Sequence, residues 1–100
     1  MDDNLLSWLQ QWYTSHCDGD WKHQYGMRMA TLDNPGWVVR VNLIGTELEE
    51  MEFPSIKNEK SEHDWVHCHI ENGQFVGHCG PLNLVELLGM FRSWAESAKS

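Results

Sequence analysis

Along the chain the apolar positions change period twice, from helical to alternating and back to helical. Over residues 3 to 17, Leu5, Trp8, Leu9, Trp12, Tyr13 and His16 recur at three- and four-residue spacing, which predicts an amphipathic helix. Asp2, Asp3 and Asn4 supply a start signal, with negative charge at the positive end of the helix dipole. "CDGD" then ends the periodic run, with Gly19 as the break. A second helix is predicted from about Leu84 to Ala98, with Leu84, Leu87, Leu88, Phe91, Trp94 or Ala95 and Ala98 forming its stripe. Asn83 is its N-cap and Glu86 stands three residues on, while Leu82 and Leu87 occupy hydrophobic-staple positions. Gly89 in its middle points to a close approach to another element.

Between the helices the pattern is that of strands and turns. Residues 22 to 44 predict a hairpin, with Pro35 and Gly36 as the centre of a type II turn in "NPGW". A regular ladder around that turn sets Leu32 opposite Val39 and Ala30 opposite Val41, with Trp37 and Leu43 on the same apolar side. "GTELEEMEF" is a loop or a single helical turn, since Thr46 and Glu49 have capping-box spacing. Phe53 to Lys60 predicts a strand, begun by Pro54 or held at a sheet edge by it, and "SEHD" is a polar turn. "WVHCHIENGQFVGHCG" is the clearest hairpin, because Asn72-Gly73 is the type I′ signal. Its register sets Ile70, Cys68 and Val66 opposite Phe75, Gly77 and Cys79 on one face. Glu71, His69 and His67 stand opposite Gln74, Val76 and His78 on the other. The expected architecture is therefore α+β, in one domain spanning residues 1–100. About five strands form an antiparallel meander, and the N- and C-terminal helices pack on one face.

Composition narrows the function. Fifteen acids against seven lysines and arginines give a formal net charge of −8. That disfavours nucleic acid, whose binders need a basic footprint, and favours a basic partner. The densest acidic run is Glu47, Glu49, Glu50 and Glu52, with Asp18 and Asp20 as a second group. Six tryptophans in a hundred residues are core bodies or interface anchors. "MDDNLLSWLQQWY" lacks a basic region followed by an apolar one, and no run approaches a membrane span. Three cysteines without a secretory signal fit free thiols in the cytoplasm.

The candidate chemistry is sparse. His67, His69 and His78 share a predicted sheet face and form the one arrangement that could hold zinc, the basis of an alternative reading as a small metal-dependent enzyme. Solvent-facing histidines on a polar strand surface are the simpler account. Cys68 and Cys79 fall on the apolar face as small core residues, and Cys17 ends a helix where the dipole disfavours a thiolate. "HCDGDWKHQYG" begins like a calcium loop but supplies no closing glutamate. No P-loop, GxSxG or HExxH pattern is present. No cofactor is expected.

Taken in order, "LLSWLQQWYTSHCDGDWKHQYG", "TLDNPGWVVRVNLIGTELEEMEF", "SEHDWVHC" and "CGPLNLVELL" with "FRSWAE" resemble the immunity protein 53 family of bacterial polymorphic toxin systems. The resemblance covers nearly the whole chain and is most specific in the opening stretch and in "LDNPGW". Lys22 stands where the family pattern carries a glutamate, and Cys79-Gly80 replaces a glycine pair. The resemblance implies a small α+β protein, without catalysis, that binds a cognate toxin inside the cell that makes it. Asp18, Asp20, Trp21 and His23 match the family stretch. Together with the glutamates of the 47–52 run they are the expected contacts to a basic toxin surface.

Overall fold

In a computed structural model, residues 3–16, 26–33 and 35–97 are described. Two helices flank five strands in chain order: α1 (Asp3–Ser15), β1 (Met27–Leu32), β2 (Gly36–Asn42), β3 (Ile56–Ser61), β4 (Asp64–Glu71), β5 (Gln74–Cys79) and α2 (Leu84–Ser97). The α+β class and the wholly antiparallel sheet agree with the sequence pattern. The strand order is β1-β2-β5-β4-β3, which departs from a meander. The connection after β2 crosses to the far edge, and β5 returns to pair with β2. The central place goes to the strand that can be buried on both faces: Phe75, Val76, Gly77 and Cys79 of β5 are all buried.

Helix α1 turns Leu5, Leu9 and Trp12 inward, as its spacing predicted, and leaves Leu6 and Tyr13 exposed. Helix α2 buries Leu87, Leu88, Phe91, Trp94 and Ala95. Both helices join one core with Val39, Val41, Val66, Cys68, Phe75 and Cys79 from a single face of the sheet. Phe91 is its hub. Its ring meets Trp12 edge-on at 5.3 Å and Phe75 at 5.0 Å, and lies 6.0 Å from Trp8. Such pairs add to the area term that burial of large rings already supplies. Two indole N–H groups reach distant carbonyls: Trp94 donates to the Glu52 carbonyl at 3.0 Å and Trp37 to the Pro81 carbonyl at 3.1 Å.

The β4–β5 hairpin follows the predicted register at every position, from Val66 opposite Cys79 to Glu71 opposite Gln74. Asn72 (φ 54°) and Gly73 (φ 77°) take the left-handed conformations that a type I′ turn requires. The β1–β2 hairpin does not follow its prediction. Leu32 pairs with Gly36 and Ala30 with Val38, so three residues connect the strands and Gly36 enters the ladder. Its glycine serves a close approach, because a Cβ at Gly36 would collide with the Cys79 carbonyl oxygen on β5. The shift reverses β1: Met27 now stands opposite Val41 on the helix side, while Ala30 and Leu32 turn to the other face.

Three smaller expectations also change. Strand β3 begins at Ile56 rather than at Phe53, beyond Pro54, although it does take the edge position expected of it. Leu82 is 93% exposed and staples nothing. A Cβ at Gly89 would meet nothing within 4 Å, so the close approach of α2 to the sheet is not there. It lies at Gly77, where an added Cβ would come 2.5 Å from the Leu87 side chain. Asn83 precedes α2 as expected, but its amide donates to Asp64 (2.9 Å) and Glu86 (3.0 Å), tying the helix start to β4. The predicted end of the first helix at Gly19 lies outside the described residues.

Candidate functional site

The acidic run follows β2 as a tight turn built from its own side chains. Thr46 Oγ1 donates to the Leu43 carbonyl at 2.7 Å and accepts the Leu48 N–H at 3.1 Å. The Glu49 carboxylate accepts the Gly45 N–H at 3.0 Å, a near relative of the capping box its spacing suggested. Leu48, wholly buried, pins the turn to the core.

Glu47 faces the end of α1. Its carboxylate accepts the Trp12 indole N–H at 3.2 Å and the His16 Nε2–H at 2.7 Å. The other His16 nitrogen, Nδ1, lies 2.8 Å from the Trp12 carbonyl. The same nitrogen lies 3.1 Å from the Ser15 hydroxyl, so the ring is held at the last turn of α1 from both sides. Burial pushes the Glu47 carboxyl up, but its own backbone N–H, His16 and Trp12 outweigh that and hold it below the ordinary carboxylate range. Of the four glutamates, then, Glu47 and Glu49 are engaged within the fold, while Glu50 and Glu52 are exposed with side chains free of partners among the described residues. Asp18, Asp20, Trp21 and His23 lie outside the described residues; only the edges of their stretch, His16 and Gly26, are placed.

Among the described residues the opposite face of the sheet carries no helix. His67, His69 and His78 do share it, as the hairpin register required, with His67 directly opposite His78. The rings are not gathered for a metal. His67 Nε2 lies 2.8 Å from Glu59 and His69 Nε2 lies 2.9 Å from Glu71. Among the described residues no three His, Cys, Asp or Glu side chains form a group that could hold a metal ion. The thiols of Cys68 and Cys79 are buried in the core on the other face, where burial pushes each up to about 11, so neither forms a thiolate near neutral pH.

Pairing across the whole sheet places further groups on the open face. One row runs Arg28, Arg40, Val76, His69; the next runs Ala30, Val38, His78, His67, Lys57. Burial, and then the charges of Arg40, His69 and His67, push the His78 imidazole below its ordinary range. Beyond His67 and His78 the face hollows into an open groove of about 770 Å³, floored by Trp65 and walled by Leu32 and Pro35 on one side and residues 59–63 on the other. Sequence reasoning missed Arg28, Arg40 and Lys57 as part of this surface. The β4–β5 turn announces the histidines, but no local signal announces that β2 pairs with β5 and brings Arg40 beside them.

Compared with known proteins, the chain matches the family model for immunity protein 53 over residues 6–96. No curated protein and no solved structure matches it. The chain belongs to the immunity protein 53 family.

Proposed function

We propose that this immunity protein binds a cognate toxin and blocks it by covering its active surface, in the cytoplasm of the cell that makes both. The family match over residues 6–96 carries the reading. The protein contributes a rigid surface and performs no catalysis of its own. The net charge of −8 supports a toxin whose active surface is basic, as in an enzyme acting on nucleic acid, because opposite potentials steer the encounter. Asp18, Asp20, Trp21, His23 and the 47–52 run remain the proposed contacts. Within that run Glu50 and Glu52 are the side chains available to a partner, since Glu47 and Glu49 already hold the turn.

Kinetics with the product of the gene adjacent to this one, as the candidate toxin, test the reading. Glu50→Lys with Glu52→Lys should slow association several-fold and flatten its dependence on salt, leaving dissociation nearly unchanged. A wild-type protein that neither binds that toxin nor protects cells expressing it would overturn the proposal.

A further inference from the structure

We propose that the apolar groove beside the acidic turn, bounded by Met51, Phe53, Pro54 and Ile70, seats a large apolar side chain of the toxin, next to a lysine or arginine that meets Glu52. The inference rests on the toxin-binding reading above and deepens it, by naming the anchor that holds the complex once charge has brought the partners together.

The groove follows from where β3 starts. Ile56 is the first residue of β3 and pairs with Cys68. Strand β4 therefore runs on through His69, Ile70 and Glu71 with no strand partner on that side among the described residues. Pro54 has no N–H to offer the ladder, and residues 51–55 lie outside the sheet. The hollow left there is open, measures about 590 Å³, and is lined by Met51, Glu52, Phe53, Pro54 and Ile70. That size falls within the roughly 300–1,000 Å³ of ordinary ligand clefts.

Contacts beneath the hollow fix its shape. Phe53 meets Phe75 edge-on at 5.4 Å and Trp94 at 5.1 Å. The Trp94 indole donates to the Glu52 carbonyl at 3.0 Å. The Met51 N–H donates to the carbonyl of Leu48, which is wholly buried. The backbone that carries Met51, Glu52 and Phe53 is thus tied to the core from both ends, and binding there costs little further ordering. Met51, Phe53 and Ile70 are each half-buried, so their remaining apolar area is still open to a partner.

Charge complementarity identifies the occupant. Glu52 lines the groove and Glu50 stands one residue before Met51; both side chains are exposed. Neither carboxylate has an ion-pair or hydrogen-bond partner among the described residues. Among the described residues no lysine, arginine or histidine lines the groove, so nothing within it offsets Glu52. An apolar centre with an acidic rim fits a basic protein surface that carries an apolar anchor. A second copy of this chain fits poorly, because it brings another −8 to the contact, and nucleic acid is excluded by the same sign.

The test is binding kinetics of the full chain with the product of the adjacent gene, at about 0.15 M salt, where the screening length is near 8 Å. Met51→Gln with Ile70→Thr removes the apolar floor at similar side-chain size. This double variant should dissociate at least tenfold faster, with association within twofold of wild type. Pro54→Arg is the second variant. Pro54 is exposed and outside β3, so replacing it removes no core contact, while the new side chain lies across the groove and meets Glu52 itself. It should bind at least tenfold more weakly, chiefly through dissociation, with a melting temperature within a few degrees of wild type. Oxidation of Met51 by dilute peroxide, followed by mass spectrometry, should slow at least fivefold in the complex. If the double variant melts early, Pro54→Arg and the protection of Met51 decide alone. Pro54→Arg within threefold of wild-type affinity, or Met51 oxidised at one rate free and bound, would overturn the inference while leaving toxin binding intact. Failure of the wild-type protein to bind would remove the functional reading and the inference with it.

Discussion

On one face of the sheet Val39, Val41, Val66, Cys68, Phe75 and Cys79 lie beneath two helices, among the rings of Trp12, Phe91 and Trp94. On the other, alternate residues of the same strands present Arg40, His67, His69 and His78 to solvent. The strands are shared, so the difference is made entirely by which way each side chain points. The covered face explains why the protein folds. Its ring contacts and the indole hydrogen bonds of Trp12, Trp37 and Trp94 are made within the chain. The open face is the reverse: its polar side chains pair locally, His67 with Glu59 and His69 with Glu71, and contribute little to the core. Substitutions on the covered face should cost stability, and those on the open face should cost little of it.

The largest expected break in that contrast is Phe91→Ala. Its ring joins α1, α2 and β5, and removing it should lower unfolding free energy by about 3–5 kcal/mol, read from urea or thermal denaturation. Toxin affinity should fall only by the fraction of protein left unfolded. A variant that unfolds no more easily than wild type would mean that the helices are not held through this ring.

Gly77→Ala probes the same interface from the sheet side. The new methyl would press on the side chain of Leu87, which is wholly buried. About 1–3 kcal/mol of destabilisation is expected, as a lower urea midpoint with an unchanged slope. Gly89→Ala, with nothing within 4 Å of the added Cβ, is the internal control and should gain helix stability slightly.

The smallest effect belongs to the tie between α1 and the acidic turn. The folded-state carboxyl of Glu47 is depressed, so its ionised form stabilises the fold. That stability is present in full above the ordinary value of 4.5 and is lost as pH falls through the lower folded value. Glu47→Gln should therefore be less stable than wild type at pH 7, by less than about 1 kcal/mol because the pair is partly exposed. The two melting curves should converge below pH 4.5. A gap that persists in acid would show that the carboxylate charge contributes nothing.

Much of the covered face could be read from spacing. The stripe of α2 and the inward residues of α1 needed only their own periodicity, and Asn72-Gly73 fixed every pair of the β4–β5 ladder. The first hairpin misled because one dipeptide supports two uses of glycine. Gly36 was expected at a positive φ, but the structure spends it on contact with a distant carbonyl group, and that one choice reverses β1. The acidic run was visible as composition, yet its division into Glu47 and Glu49, bound within the fold, and Glu50 and Glu52, free of it, was not. His16 lies thirty-one residues from Glu47, and spacing carries no information about such a pair.

The sequence by itself determined the elements, the faces of the second hairpin and the family, because turns, caps and periodic stripes are local and act within a few residues. Tertiary structure alone decided that β5 lies between β2 and β4, that Gly77 rather than Gly89 admits the helix, and that Arg40 stands in the row beside His69 and His78. Those choices follow from burying β5 on both faces at the centre of the sheet, a gain that exists only once the whole chain has collapsed around it.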